Sequence, residues 1–428
     1  MKHLIQLFMV LVFLILTCVY STQNESNFQL SKFKAKLSIS NALREHPDGT
    51  LPRREMETKL VVEGAPELLK NNSFLLETMK KSIEGALTNE IQWFAPKYFN
   101  STYTISPIGL GTFCFLDIYL DSPDFINERL NISHRVRYRW HSRGAFLKYM
   151  LGSDAPQNFP HRCEYQVKTD RDEKVEGFYC SNETRFEFRN ESFPFKRDNS
   201  APLPPWSFEE FILPAIHGRF RGYFSTSAFE YARFLSRVEP NRSEIELSPS
   251  LLLVMTRRRI HLNLPTALGE TGSALGLGSP TNINQAMIVT LDTSEVFSPE
   301  LLNLYSFTRA IKKRNLLTKR LLKRLKGEFL PLGTFTEIEF EFERNIESAL
   351  HKEMNSPQSA SILDKLRDTE SAFLKDEKLV SSIVSESLRS LGLQVFPTDT
   401  SKYRKGCSIL RNPNSHQSVL LLPKRYNQ

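Results

Sequence analysis

Residues 53–62 read RREMETKLVV, which places Glu55, Glu57 and Lys59 at alternate positions. In a β-strand, residues two apart point to the same side. One face of this segment therefore reads Glu-Glu-Lys, while Met56, Thr58 and Leu60 occupy the other. Charges turned toward a protein interior must be paired, or must hold a ligand or a metal.

Strand-like runs continue along the chain, and most sort the same way. Arg135, Arg137 and Arg139 share one face of RVRYRW, and Arg162, Glu164, Gln166 and Lys168 share one face of RCEYQVKT. Arg185, Glu187 and Arg189 share one face of ETRFEFR, opposite Phe186 and Phe188. Arg257 and Arg259 alternate in TRRRIHL, within SLLLVMTRRRIHLNL. Glu337, Glu339, Glu341 and Glu343 alternate with Ile338, Phe340 and Phe342 in FTEIEFEFE. TFCFLDIYLDS and AMIVTLD complete eight runs. A single polar strand face is ordinary in an antiparallel sheet with one side in water. Here the glutamates concentrate on the first and last strands and the basic residues on the middle ones. The apolar faces opposite need cover. Helical patterns at 66–87 and 376–393 supply it, so the expected fold is α+β, an eight-stranded antiparallel β-barrel with outer helices and a charged lumen.

That lumen has a definite chemistry. Carboxylates without imidazole or thiolate at metal-ligand spacing suit hard cations such as Mg²⁺ or Mn²⁺. Arginine and lysine suit phosphate oxygens, arginine two at a time. Both sets in one cavity describe a site for a polyphosphate chelated by a divalent ion.

The residues that carry this reading resemble the CYTH, or triphosphate tunnel metalloenzyme, superfamily. EMETK matches its Glu-x-Glu-x-Lys signature, and further segments are similar to its motifs in order. These are DIYLDSPDFINERLNISHRVRYRW, EYQVKT, TRFEFR, TRRRIHL, IVTLDT, GTFTEIEFE and LRSLGLQVFPTDTSKYRKG. The resemblance implies an eight-stranded tunnel that hydrolyses a triphosphate with Mg²⁺ or Mn²⁺, the substrate being inorganic triphosphate, a nucleoside triphosphate or thiamine triphosphate. It assigns Glu55, Glu57, Glu337 and Glu339 to the metal, with Glu187 and Asp292 as helpers, and makes Glu55, Glu57 and Lys59 catalytic. Lys59, Arg135, Arg137, Lys168, Arg185, Arg257 and Arg259 would hold phosphate oxygens. Arg189 departs from the pattern, standing where a second acidic residue often follows Arg-x-Glu. Three other functions suit the same residues: a non-catalytic polyphosphate or polyanion-binding module, a polyphosphate polymerase and a nucleotidyl cyclase.

The rest of the chain sets the context. Residues 1–21 have the form of a secretory signal, with basic Lys2 before an apolar run, either cleaved or kept as a membrane anchor. Seven Asn-x-Ser/Thr triplets, at Asn24, Asn71, Asn100, Asn131, Asn182, Asn190 and Asn241, agree with a glycoprotein of the secretory pathway or a secreted one. Beyond Cys18 four cysteines remain, and Cys163 with Cys180 is the expected disulfide. Residues 22–52 read as a poorly ordered leader, and residues 53–428 as the tunnel domain, with a C-terminal helical region from about 346. Two insertions are expected, at about 190–247 and 298–327. The second carries the basic amphipathic stretch 311–327 (IKKRNLLTKRLLKRLKG), which packs its leucines on the barrel or meets an acidic or membrane surface. The formal net charge of +8 suits an anionic partner, with no specific double-stranded nucleic acid expected. The glycines of GETGSALGLGSP lack the Lys-Ser/Thr of a phosphate-binding loop, the histidines lack zinc spacing, and no Gly-x-Ser-x-Gly elbow occurs.

Overall fold

The alternation in RREMETKLVV is realised as strand Arg53–Glu63. The computed structural model describes residues 33–44, 53–87, 104–105, 112–153, 155–170, 179–188, 215–220, 223–263, 285–302, 305, 330–342 and 360–413. The signal segment 1–21, the basic stretch 311–327 and the glycine-rich connection 269–280 lie outside these residues, as do Asn24, Asn100, Arg189, Asn190 and Glu343.

The strands, in chain order, are β1 (Ala35–Ser38), β2 (Arg53–Glu63), β3 (Thr104–Ile105), β4 (Phe113–Asp121), β5 (Ser133–Trp140), β6 (Arg162–Asp170), β7 (Tyr179–Phe188), β8 (Arg219–Phe220), β9 (Tyr223–Phe224), β10 (Glu244–Asn263), β11 (Gln285–Phe297), β12 (Gly333–Phe342) and β13 (Gln394–Pro397). The helices are α1 (Ile39–Arg44), α2 (Pro66–Lys70), α3 (Asn72–Leu87), α4 (Ile126–Arg129), α5 (Arg143–Met150), α6 (Thr226–Val238), α7 (Ala360–Ser390) and α8 (Lys402–Arg411). The fold is a mixed α+β arrangement around one 11-stranded sheet whose pairings are antiparallel. All eight expected runs are in it, as β2, β4 to β7 and β10 to β12, and β1, β3 and β13 are additions. Neighbours follow the order β10–β11–β12–β2–β7–β6–β5–β4. β4 also pairs with β10, from Ser248 opposite Asp121 to Arg257 opposite Phe113.

The apolar faces of these strands are covered by helices. Leu60 and Val62 of β2, with Ile260, Val289, Ile338 and Phe340, pack against Leu75, Met79 and Ile83 of α3 and Val380, Val384 and Leu388 of α7. A second cluster joins Leu116, Ile118, Tyr138, Trp140 and Tyr165 to Ala42 of α1, Ile126 of α4, Phe146 and Tyr149 of α5, and Tyr231 and Leu235 of α6. A third lies on the opposite side of β10: Leu251 and Leu253, with Tyr119 and Val296, meet Tyr403, Cys407 and Ile409 of α8. Gly406 makes that approach possible, because a Cβ there would come within 2.4 Å of a Leu251 methyl.

Several boundaries differ from the expectation. The leader is not wholly irregular: β1 pairs with the start of β10, and Leu37, Ile39 and Ala42 are buried, anchoring it. The described part of the first expected insertion carries α6, which packs on α1, β6 and β7, and the start of β10 at Glu244. The helix read at 376–393 begins at Ala360, and the one read at 66–87 is broken at Asn71, whose side chain accepts from the Phe74 N–H. The Cys163–Cys180 disulfide is absent. Cys163 is a buried free thiol opposite Phe188, and Cys180 lies eight residues down the same strand. At ~3.3 Å per residue that is about 26 Å, against roughly 4–7 Å between the Cα atoms of a disulfide.

Truncation of Leu75, which is fully buried between α3 and the sheet, tests this packing. Leu75→Ala should cost about 2–5 kcal/mol in urea unfolding through lost contacts and the cavity left behind.

Candidate functional site

The charged faces of β2, β4 to β7, β10 and β12 surround a cavity with an empty volume of about 440 Å³, counting solvent at its opening. Glu55 and Glu57 reach it from β2 and Glu341 from β12, and Glu341 stands directly opposite Glu57 in the ladder. One oxygen from each of the three lies within 4.8 Å of the others. Like charges opposite one another destabilise a sheet, and nearby cations offset this. Lys59 Nζ is 2.9 Å from Glu57, and Lys168 Nζ is 3.1 Å from Glu57 and also contacts Glu55. Ser181 Oγ donates to Glu55 at 3.0 Å. Among the described residues Glu341 has no salt-bridge partner.

The basic wall is built from β5, β6, β7 and β10. Arg137 grips Asp117 with two hydrogen bonds, 2.6 and 2.7 Å, and Arg135 donates to Asp117 at 3.1 Å, to Tyr119 Oη at 2.9 Å and to Gln166 at 2.6 Å. Burial alone would raise the Asp117 carboxyl, but Arg135 and Arg137 outweigh it and hold the group below its ordinary 3.8. Lys168 shows the converse. Burial would lower its ammonium, yet Glu55, Glu57 and Glu183 raise it well above the usual lysine range. Both remain charged at neutral pH.

Across the cavity, Arg257 donates to Asp292 at 2.8 and 2.5 Å and to Glu339 at 2.8 Å. Helix α8 adds two more cations. Ser401 caps its first turn by accepting from the Arg404 N–H, which aims Lys402 inward onto Asp292 (2.9 Å) and Glu339, while Lys405 contacts Glu337. Burial raises the Glu339 carboxyl, but Lys402, Lys59 and Arg257 overcome this and hold it well below 4.5.

Of the residues expected from the sequence, Glu55, Glu57, Lys59, Arg135, Arg137, Lys168, Arg185, Arg257 and Glu339 line this one cavity. Asp292 and Glu337 are fully buried and engaged by cations instead, with Arg257 and Lys402 on Asp292 and Lys405 and Lys402 on Glu337. The carboxylate that β12 brings to Glu55 and Glu57 is Glu341 rather than Glu337 or Glu339. The Glu187 side chain lies outside the described residues. Arg259 is not on the cavity wall. Asp117, Glu183, Lys402 and Lys405 were not singled out in the sequence. A period-two reading of DIYLD would have put Asp117 on one face with Tyr119 and Asp121, whereas nothing local in SKYRKG shows that Lys402 and Lys405 turn inward. Asp121 is a scaffold residue. It accepts from the N–H groups of Ser122, Asn127 and Glu128 and from Tyr403 Oη, tying α4 to α8.

Three carboxylates on neighbouring strands offer only oxygen donors, a set that could hold a hard cation. Among the described residues no other group of three carboxylate, imidazole or thiolate ligands comes as close. Comparison with protein-family models and with curated proteins finds no match for the chain.

The Asp117 fork can be tested by titration. Asp117→Asn should cost about 3–5 kcal/mol, because two buried guanidiniums lose their counter-charge. Asp117 and Glu339 both have folded-state pKa values below their ordinary ones. The stability they confer is therefore complete above the unfolded values, about 4, and is lost as pH falls through the folded ones. Denaturation followed from pH 7 to pH 2 should show wild-type stability falling in that window and a shallower fall for Asp117→Asn.

Proposed function

We propose that this protein hydrolyses a triphosphate-containing substrate with the help of a divalent cation, inside a tunnel formed by the charged faces of the sheet. The observation that carries the proposal is the convergence of Glu55, Glu57 and Glu341 on one side of a cavity otherwise lined by Lys59, Arg135, Arg137, Lys168, Arg185, Arg257 and Lys402. Support for a tunnel comes from the second pairing of β4, which meets β10 as well as β5.

A divalent ion at the carboxylate trio would supply Lewis-acid polarisation of a phosphoryl oxygen. The chain's own residues do the rest. Arg135, Arg137, Arg185 and Lys168 take the phosphate oxygens, drawing the triphosphate in with its terminal phosphorus toward the carboxylates. Arg257 and Lys402 offset charge that builds on the terminal group as the bond to the leaving diphosphate breaks. A water oxygen forms the new bond to phosphorus, its protons passing to a carboxylate and to solvent, and phosphate and diphosphate are released. Glu341, free of a salt bridge among the described residues, is the carboxylate placed to accept that proton.

Pre-existing ion pairs make the binding an exchange. Asp117 holds Arg135 and Arg137, and Glu55 and Glu57 hold Lys168, so no cation there waits uncompensated for the substrate. A buried charge lacking a partner would be far costlier.

Purified protein should release phosphate from tripolyphosphate, a nucleoside triphosphate or thiamine triphosphate only with Mg²⁺ or Mn²⁺ present, and chelation should stop it. Glu55→Ala/Glu57→Ala and Glu341→Gln should each lower kcat by more than about a hundredfold, since even outer-shell partners of a metal are worth 10–100-fold. Metal-independent binding with no product from any of the three substrates would instead mark a polyanion-binding module.

A further inference from the structure

Beyond the cavity, the sheet gathers a second set of arginines. β4 begins at Phe113, β5 ends at Trp140, β6 begins at Arg162 and β10 ends at Asn263. Antiparallel pairing brings these four termini to the same end of the sheet. Helix α8 lies at the other, where Tyr403 stacks on Tyr119 at 4.9 Å and donates to Asp121 at the far end of β4.

At the first end Arg139 and Arg162 face each other directly across β5 and β6, an arrangement that repels. Arg162 pairs with Glu164 at 2.5 Å. Arg139 has no such relief. Its guanidinium lies 3.6 Å above the Phe113 ring, its Nε lacks a hydrogen-bond partner, and it forms no salt bridge with any described residue. Arg259, two residues beyond the Arg257–Phe113 pair, likewise has an unpartnered Nε and no salt bridge to a described residue. The contrast with Arg135, Arg137 and Arg257, each locked onto a carboxylate, is plain. Burial, then the neighbouring arginines, lowers both Arg139 and Arg259 to about 10, well below the guanidinium norm and still charged at neutral pH. The carboxylates that act on them are Glu164 for Arg139, and Glu341 and Asp292 for Arg259.

We infer that Arg139 and Arg259, with Arg162, form an outer phosphate subsite that takes the phosphate group following the third in a longer substrate. This rests on the triphosphate reading of the inner cavity and extends it. An anion between the guanidiniums would relieve their repulsion and meet the unused N–H donors, and a guanidinium stacked on a ring keeps its donor edge free for that purpose. The phosphate could be a phosphodiester of a 5′-triphosphorylated oligonucleotide or a further unit of linear polyphosphate. The chemistry recognised is the same.

The test is equilibrium binding by the full chain in chelator, so that no turnover is needed. A labelled 5′-triphosphorylated trinucleotide is followed by fluorescence anisotropy, with tripolyphosphate and longer linear polyphosphate as competitors. Arg139→Gln should weaken the trinucleotide, the longer polyphosphate or both by about tenfold or more, the worth of a charge-assisted contact, and leave tripolyphosphate unchanged. Which longer probe responds identifies the source of the outer phosphate. Arg139→Lys, which keeps the charge, should recover part of the loss. Removing Arg139 strands no paired carboxylate, so the variant should fold, and circular dichroism checks this. Equal weakening of all probes, or of none, overturns the subsite. Length-dependent loss from a protein that hydrolyses nothing would sink the hydrolysis proposal and leave this one standing.

Discussion

A charge taken out of water must be matched by a neighbour, and that constraint organises this protein. Asp117 shows it most directly. The carboxylate is fully buried, and its cost is offset only because Arg135 and Arg137 close on it from the adjacent strand. Lys168 between Glu55 and Glu57, and Arg257 between Asp292 and Glu339, repeat the solution elsewhere. Ladder register makes these contacts possible, since Asp117 stands opposite Arg137 and Asp292 opposite Arg257. A slip of one residue would turn every one of these charges to the apolar side.

The apolar sides carry the complementary constraint. Leu60, Val62 and Ile338 cannot remain in water while their neighbours face the cavity, so α3 and α7 cover them, and α1, α4, α5 and α6 cover the β4 to β6 side. Helix α8 is unlike the others. It packs on the cavity side of β10, through Tyr403 and Cys407, and carries Lys402 and Lys405 into the carboxylates of β11 and β12. It is part of the site and part of the core at once.

The site and the outer arginines differ in one physical respect. Arg135, Arg137, Lys168 and Arg257 are already paired with carboxylates, so on the proposed reading an anion bound there would exchange one set of partners for another. Arg139 and Arg259 keep their charge without a carboxylate partner among the described residues. Both are only half-buried, so water still reaches part of each charge and lowers its cost.

Period-two reading of single strands determined a great deal. It found all eight site strands, the inward orientation of Glu55, Glu57, Lys59, Arg135, Arg137, Lys168, Arg185 and Arg257, and the need for helices outside, because alternation is a property of the backbone and is written locally. It did not find Asp117, whose role depends on which strand lies beside β5. The resemblance grouped Glu337 and Glu339 with Glu55 and Glu57, whereas the β12 carboxylate that lies close to that pair is Glu341. The stagger between β12 and β2 decides that, and stagger is a relation between segments more than 250 residues apart. The Cys163–Cys180 expectation failed for the same reason, since closeness along the chain said nothing of which end of the β6–β7 ladder each cysteine occupies. Sequence alone thus decided which side chains face inward. Only the tertiary structure, through register and helix docking, decided which of them meet.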